Sequence, residues 1–541
     1  MTMFWTQERA EKVEQRHAAP FVVSDWKTPS GHIHVGSLRG VLVHDAVARA
    51  LRSRGRETTY YYGFDDADPF DKVPNYLNES AYAPFLGMPM RRVPMPNDVG
   101  DPDGQPVTET HNYARLYADE FEKVYRELGV VSTTIYKGDL YDQGKMNDAI
   151  RLVLDHAKEV GEAFVAVVQD RTADRVGKQL VADFPVNVIC EVCGKLATTV
   201  VTAWNGNQVS YTCQSGTVTW AEGCGHQGEV SPFDGHAKLP WKIDWAAIWF
   251  VLKSDIEGAG KDHYTKGGSR DVSLEIFQRI FAAQLPDGYQ QPPEDLFYEW
   301  LYEEGKKMST SKAVGAKAGD VLGDLPPELL RFMMIRIQPR SGVEFRRTAA
   351  LLPQLYDEFD RVVRDARTGD SYATGLLAAV QLAANVQPTS SPLRFSTIAS
   401  LVQIPQIDIA GWASQELDRP LTEDERVELD HRVALAQQWL ETYPEERLYT
   451  LQSTAPTLGL SATEQQFLVA AADVLDQLPD WAGILIQDAL YEQAKIHVIP
   501  TKEAFALVYR LFLGQSSGPR AGLLLAQLEK HMVIQRLREA Q

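Results

Sequence analysis

A strand, a glycine turn, a helix and a second strand follow one another in residues 20–64, and few folds can begin this way. Pro20 to Ser24 (PFVVS) is a short apolar run, and a Pro-Ser-Gly turn follows it. From Leu38 onward apolar residues recur at 38, 41, 42, 46, 47, 50 and 51, which is helical spacing. Gly55 stops that helix, and TTYYYGF (Thr58 to Phe64) carries the aromatic and β-branched residues favoured in strands. The order predicts a Rossmann-type α/β fold with a parallel sheet, in which ligands bind at the carboxyl ends of strands and phosphates sit near helix N-termini.

The rest of the chain divides by texture. Further helices are expected at Asn112 to Leu128, stopped by Gly129, and at Met146 to Val168. Residues from about 170 to 240 hold every cysteine and many Val and Thr residues, and they read as an insertion. The α/β pattern resumes at Trp241, and Asp295 to Tyr302 (DLFYEWLY) reads as a strand running into a Gly-Lys-Lys turn. Beyond about residue 327 the periodicity is helical, with linkers expected at Gln387 to Pro392 and Pro405 to Ala413. A chain of 541 residues is too long for one core, so several domains are expected. There is no apolar run of about 18 residues to span a bilayer. The charged N-terminal stretch reads as a surface helix, so a cytoplasmic location is expected. A net charge of -19 argues against indiscriminate nucleic-acid binding, yet local basic strips such as Arg331, Arg336, Arg340, Arg346 and Arg347 could still grip one chosen nucleic acid.

Three loops carry candidate chemistry. In TPSGHIHVGSLRG (Thr28 to Gly40) the turn of Pro29, Ser30, Gly31 and Gly36 lets backbone approach a nucleotide, and His34 at the helix mouth can hydrogen-bond phosphate oxygens. The Ser37 hydroxyl can donate there but cannot carry charge. In KMSTSKA, Lys307, Met308, Ser309, Ser311 and Lys312 set a dense group of donors on a turn, suited to clamping a triphosphate. Between them, Gly258 and Gly260 permit close backbone approach, Asp262 can accept from ribose hydroxyls, and His263 can contact a nucleotide or a second substrate. Cys190, Cys193, Cys213 and Cys224 form two close pairs of soft ligands, the pattern of a closed structural zinc site. His226 could replace one of them or support them from outside.

These motifs carry a family resemblance. His34, Gly36 and Ser37 stand at the first, third and fourth positions of a sequence that resembles the HIGH signature of class I aminoacyl-tRNA synthetases, with Ser37 departing from the usual His or Asn. Lys307 to Ala313 is similar to the KMSKS loop, and closest to its form in the class I lysyl-tRNA synthetases. The two lie 273 residues apart in the family's order. The segments Gly260 to His263, Phe64 to Pro74 and the CxxCG...GCGH cysteine pattern also resemble that family. The resemblance implies ATP, Mg2+, L-lysine and tRNA(Lys) as substrates and partners, a structural Zn2+, no membrane, and a monomer. It implies activation of lysine as an adenylate and transfer to the 3' end of tRNA, with activation dependent on bound tRNA.

It further implies that Asp65, Asp66 and Asp68 hold the lysine ammonium groups, although such a cluster also suits a solvated loop. Trp249, Tyr298 and Glu299 would complete the lysine pocket, with aromatic walls for the stem and carboxylate for the charge. Trp26 stands where many members are expected to carry glycine. The implied organisation is a catalytic domain in two halves (1–169 and 241–326) around a zinc-binding insertion (170–240), then a helical stem-contact domain (327–395) and a helical anticodon-binding domain (396–541). In the last of these, a turn presents Arg520 toward an anticodon base or phosphate. A glutamyl-type class I enzyme and an inactive tRNA-binding relative are the alternatives.

Overall fold

The computed structural model describes residues 3–168, 183–299, 301–303, 306–307, 317–323, 325–382, 388–404, 407–446 and 450–540. Its central sheet has the strands β1 (Phe21–Lys27), β2 (Thr58–Phe64), β3 (Thr133–Tyr136), β4 (Ile256–Glu257) and β5 (Glu294–Asp295) in the spatial order β5-β4-β1-β2-β3. All four pairings are parallel. The first three strands step outward on one side of β1, and the next two return on the other. The order therefore reverses between β1 and β4, and a crevice opens at their carboxyl ends, where sheets of this kind bind ligands.

The helix α2 (Leu38–Ser53), which follows α1 (Trp5–Glu14), crosses from β1 to β2. Leu38, Val41, Leu42, Ala46, Val47 and Leu51 are all buried, because the sheet covers one side of α2 while α1 and the helices Pro327–Ile335 and Ser371–Val380 cover others. The buried carboxylate of this core is paired, as desolvation demands. Asp45 on α2 pairs with both Arg49 and Arg331, and Arg331 also donates to the carbonyls of Leu128 and Ala379. Arg331 is wholly buried, so it is unavailable to a nucleic acid, contrary to the expectation from sequence.

Between β3 and β4 the chain makes an excursion. The strands Thr199–Trp204, Val209–Cys213 and Gln227–Val230 form an antiparallel sheet, and Asn187–Val188 pairs antiparallel with Ala237–Lys238 to draw the ends of the excursion together. The helix α3 (Trp241–Leu252) then leads into β4. The run expected as one strand from Asp295 to Tyr302 is instead divided. Asp295 ends β5, Tyr298 bridges to Gly260, and Leu301–Glu303 joins a separate sheet with Lys306–Lys307 and Val343–Phe345. The helix expected from Met146 to Val168 is two helices, Asn147–Asp155 and Ala157–Val168, and that expected from Asn112 begins at Tyr113 with the Asn112 side chain as its cap.

By contacts the chain forms two units, Met1–Arg347 with Asp365–Pro388, and Thr348–Arg364 with Thr389–Gln541. Residues 327–347 thus belong with the sheet and not with a separate helical segment. Among the described residues the regular elements of the second unit are all helices, and inside it Arg432 grips Asp360 through two bonds of 2.6 and 2.7 Å. Capping boxes at Thr422/Glu425 and Ser461/Glu464 start two of its helices. The linker expected at Pro405 to Ala413 contains the start of a helix, Ile409–Glu416, capped by Asp408. Among the described residues no helix is long and apolar enough to cross a membrane.

Candidate active site

A cavity of about 470 Å³ occupies the crevice at the ends of β1 and β4. The alternation of side chains along β1 gives it two walls. Asp25 and Lys27 point to the α2 side, where His44 lies 3.5 Å from Asp25. Ser24 and Trp26 point to the α3 side, where Ser24 bonds Ser254 at 2.9 Å and the ammonium of Lys137 lies 4.4 Å from the centre of the Trp26 indole. The parallel register sets Trp26 beside Gly63, whose missing side chain makes room for the indole. Glu257, in register with Ser24, accepts from Trp245 at 2.7 Å and from Trp249 at 2.9 Å, with Arg270 at 3.3 Å.

On the α3 wall a charge network forms that the sequence does not announce. Lys137 bonds Asp244 at 2.6 Å and lies 3.3 Å from Asp65, while Lys238 bonds Asp68 at 2.7 Å and lies 3.4 Å from Asp65. Two ammonium groups thus serve three carboxylates, and Asp65 keeps one oxygen, Oδ1, buried without a hydrogen-bond partner. Burial, with the charge of Asp68 adding to it, pushes the Asp65 carboxyl up to about 7 despite the two lysines.

The α2 wall holds the glycine turn. His34, Gly36 and Ser37 line the cavity at the start of α2. His44, one turn beyond Gly40, donates from Nδ1 to the Gly40 carbonyl at 2.8 Å and accepts the Gly258 N–H at Nε2 at 3.1 Å. Burial lowers its pKa, so this neutral tautomer fastens α2 to the Gly258 loop. Gly40 lets α2 approach Tyr298 closely, since a Cβ there would come within 2.6 Å of the Tyr298 hydroxyl and displace it or the helix. Residues that flank the far loop arrive on the same side. Lys317 pairs antiparallel with His34, and the Ala318 N–H donates to the Ile33 carbonyl at 3.0 Å, while Lys307 pairs with Tyr302 next to the cavity residue Leu301. Met308, Ser309, Ser311 and Lys312 lie outside the described residues.

Of the other sequence candidates, Asp65, Asp68, Gly258, Gly260, Asp262, His263 and Tyr298 line the cavity, and His263 stands edge-on to Trp241 and Trp245. The remainder do not line it. Asp66 is turned to the Gly138 N–H at 2.8 Å and to Arg91. Trp249 is buried behind Trp245, and Glu299 pairs with Lys261 at 2.9 Å. Pro29, Ser30 and Gly31 form the turn below, where Tyr113 donates to the Ser30 carbonyl. Asp25, Lys27, Glu257 and Lys137 are cavity residues that motif reading missed. Their only sequence signal was a position at the carboxyl end of a strand, or just beyond it.

The four cysteine sulfurs gather within 4.8 Å of one another, with Cys190 to Cys224 at 3.6 Å and Cys193 to Cys213 at 3.7 Å. A tetrahedral zinc with Zn–S near 2.3 Å requires sulfurs about 3.8 Å apart, so the spacing fits. His226 takes part through its backbone carbonyl, which accepts the Cys213 N–H, while its ring faces Tyr211.

Residues 3–384 match a family model described as tRNA synthetases class I (K). A Lysine--tRNA ligase of Thermoplasma volcanium is 30% identical over 99% of this chain and 99% of its own. Another from Methanosarcina barkeri is 30% identical over 100% and 98%, and Lysine--tRNA ligase 1 of Methanosarcina acetivorans is 31% identical over 99% and 98%. With a family model matching over most of its length and relatives spanning nearly all of it, this chain belongs to the class I tRNA synthetases (K) and is an aminoacyl-tRNA ligase.

Proposed function

We propose that the chain is a lysine--tRNA ligase that activates lysine with ATP and passes it to the 3' end of tRNA(Lys) in this cavity. The observation that carries the reading is the meeting at one crevice of His34 to Ser37 and Gly258 to His263, with Lys317, which follows the far loop, bridged to His34 at its edge. The lysine carboxylate attacks the α-phosphorus of ATP and pyrophosphate leaves. A terminal 2'-hydroxyl of tRNA then attacks the lysyl carbonyl and AMP leaves. His34 and Ser37, with Lys307 to Lys312, stabilise the phosphoryl charge, and Asp262 receives the ribose. No protein nucleophile is needed, because positioning and electrostatics suffice. Mg2+ bound to the triphosphate would neutralise part of its charge. Cys190, Cys193, Cys213 and Cys224 would hold a structural zinc that would cross-link the excursion, apart from the reaction. The protein acts in the cytoplasm as a monomer, and activation waits for tRNA.

Charge favours lysine as the amino acid. Five carboxylates line the cavity against two lysines, and among the described residues no arginine lines it to meet a glutamate side chain. The unpartnered Asp65 oxygen is an acceptor for an ammonium group. The test is charging of bulk tRNA with each amino acid in turn, with pyrophosphate exchange measured with and without tRNA. Lysine alone should be charged, and His34→Ala should abolish it. Charging with glutamate, or tRNA binding with no charging at all, would overturn the reading.

A further inference from the structure

Lys27 sits on the α2 wall of the cavity with no motif to account for it. It is the last residue of β1, two positions after Asp25, so it shares a face with His34 and not with the Lys137 and Lys238 network. Among the described residues it makes no salt bridge and no side-chain hydrogen bond, and the charges it feels are the more distant ones of Asp25 and Asp262. Its main chain is fixed by the sheet, with its carbonyl accepting the Asp65 N–H at 2.9 Å. An ammonium desolvated at the mouth of a ligand cavity, without a contact partner, is costly until an anion arrives. Burial accordingly draws its pKa down, with Asp25 and Asp262 opposing.

On the acidic, aromatic α3 wall the cavity lysine, Lys137, is already bonded to Asp244 and close to Asp65, whereas the α2 wall offers His34, the start of α2 and Lys27. We propose that the Lys27 ammonium binds a nonbridging α-phosphoryl oxygen of the nucleotide, holding the phosphorus in line for attack and stabilising the charge that builds on it. This rests on the reading that ATP is activated in this cavity. It assigns to β1 a substrate contact independent of both signature loops. Such a contact strengthens as the phosphoryl oxygens gain charge, so it should act on the reaction more than on ground-state binding.

The experiment compares full-length wild type with Lys27→Met and Lys27→Arg. It follows lysine charging of tRNA with ATP and lysine varied separately, and calorimetric binding of AMP and of adenosine. Lys27→Met should lower kcat/KM for ATP by roughly 10²-fold. AMP binding should weaken while adenosine binding stays the same, and Lys27→Arg should recover part of both losses. The proposal fails if Lys27→Met charges tRNA like wild type, or if the KM for lysine alone rises, which would give Lys27 the amino-acid carboxylate instead. Equal loss of AMP and adenosine binding also overturns it, since that marks a collapsed cavity. If wild type itself charges no tRNA, the ligase reading falls, and the AMP and adenosine comparison still decides whether Lys27 holds a phosphoryl group.

Discussion

Three buried carboxyls on the cavity wall set its behaviour at the scale of single residues. Burial pushes Asp25, Asp65 and Glu257 each up to about 7. For Asp25 the unfolded chain releases its proton near the ordinary value of about 4, whereas the folded protein holds it until pH approaches 7. Ionising Asp25 therefore costs stability progressively between those values, and the full penalty stands above pH 7. Asp25→Asn should melt several degrees above wild type at pH 8, with the difference shrinking as pH falls and closing below about pH 4. Equal melting differences at both ends of that range would contradict the assignment. Asp65 gives a second expectation. If its free oxygen receives the substrate ammonium, its protonation below about pH 7 should raise the KM for lysine several-fold while the KM for ATP stays flat. Titration of steady-state rates between pH 6 and 8.5 checks it. None of these three carboxyls was legible as a pair or a partner. A strand such as FVVSDWK shows which residues alternate, but not which lysines of a distant excursion will meet them.

Two elements carry most of the site's precision. The first is α2, which presses so closely on Tyr298 that residue 40 has no room for a side chain. Helix propensity favours alanine over glycine by about 1 kcal/mol. Gly40→Ala should nevertheless cut charging by roughly tenfold or more, since a sub-ångström displacement of a cavity wall misplaces the reacting groups. Tyr298→Phe in the same chain should recover part of the loss. An active, simply more stable Gly40→Ala protein would show that the contact is unimportant. The second element is the cysteine excursion. Its four sulfurs stand at metal spacing, and Lys238 at its foot belongs to the cavity network. A strong chelator should expose residues 190–226 to proteolysis and lower charging, with zinc restoring both. Resistance to cleavage after verified metal removal would refute the structural role. The motifs at both elements were readable because each declares itself in short spacings: a glycine turn at the mouth of α2, and a Cys-x2-Cys pair followed within 31 residues by the last two of the chain's four cysteines. The divided run from Asp295 to Tyr302 was not, because its alternating residues fit a single strand and only tertiary pairing splits them between two sheets.

Across the whole molecule, the bond between Asp45 and Arg331 ties the signature helix to the helix Pro327–Ile335 within the first unit. Arg331→Met removes one partner of a buried pair and should cost about 3–5 kcal/mol, read by urea denaturation. The tRNA affinity of the folded fraction should not change, because the guanidinium never reaches the surface. A weakened affinity with unchanged stability would return Arg331 to the basic strip that its sequence neighbours suggested. By itself, the sequence determined the Rossmann-type opening, the helical second half, the cysteine set and the loops that mark the family. Each of these is written in spacing over a few turns or in a short motif, and local geometry obeys such spacing wherever it lies. Only the tertiary structure decided the charge partners: Lys137 and Lys238 for Asp65 and Asp68, Arg331 for Asp45, and, among the described residues, none in contact for Lys27. Those pairings join positions from tens to hundreds of residues apart, and the electrostatic energy of a buried group depends on which charges the fold sets beside it.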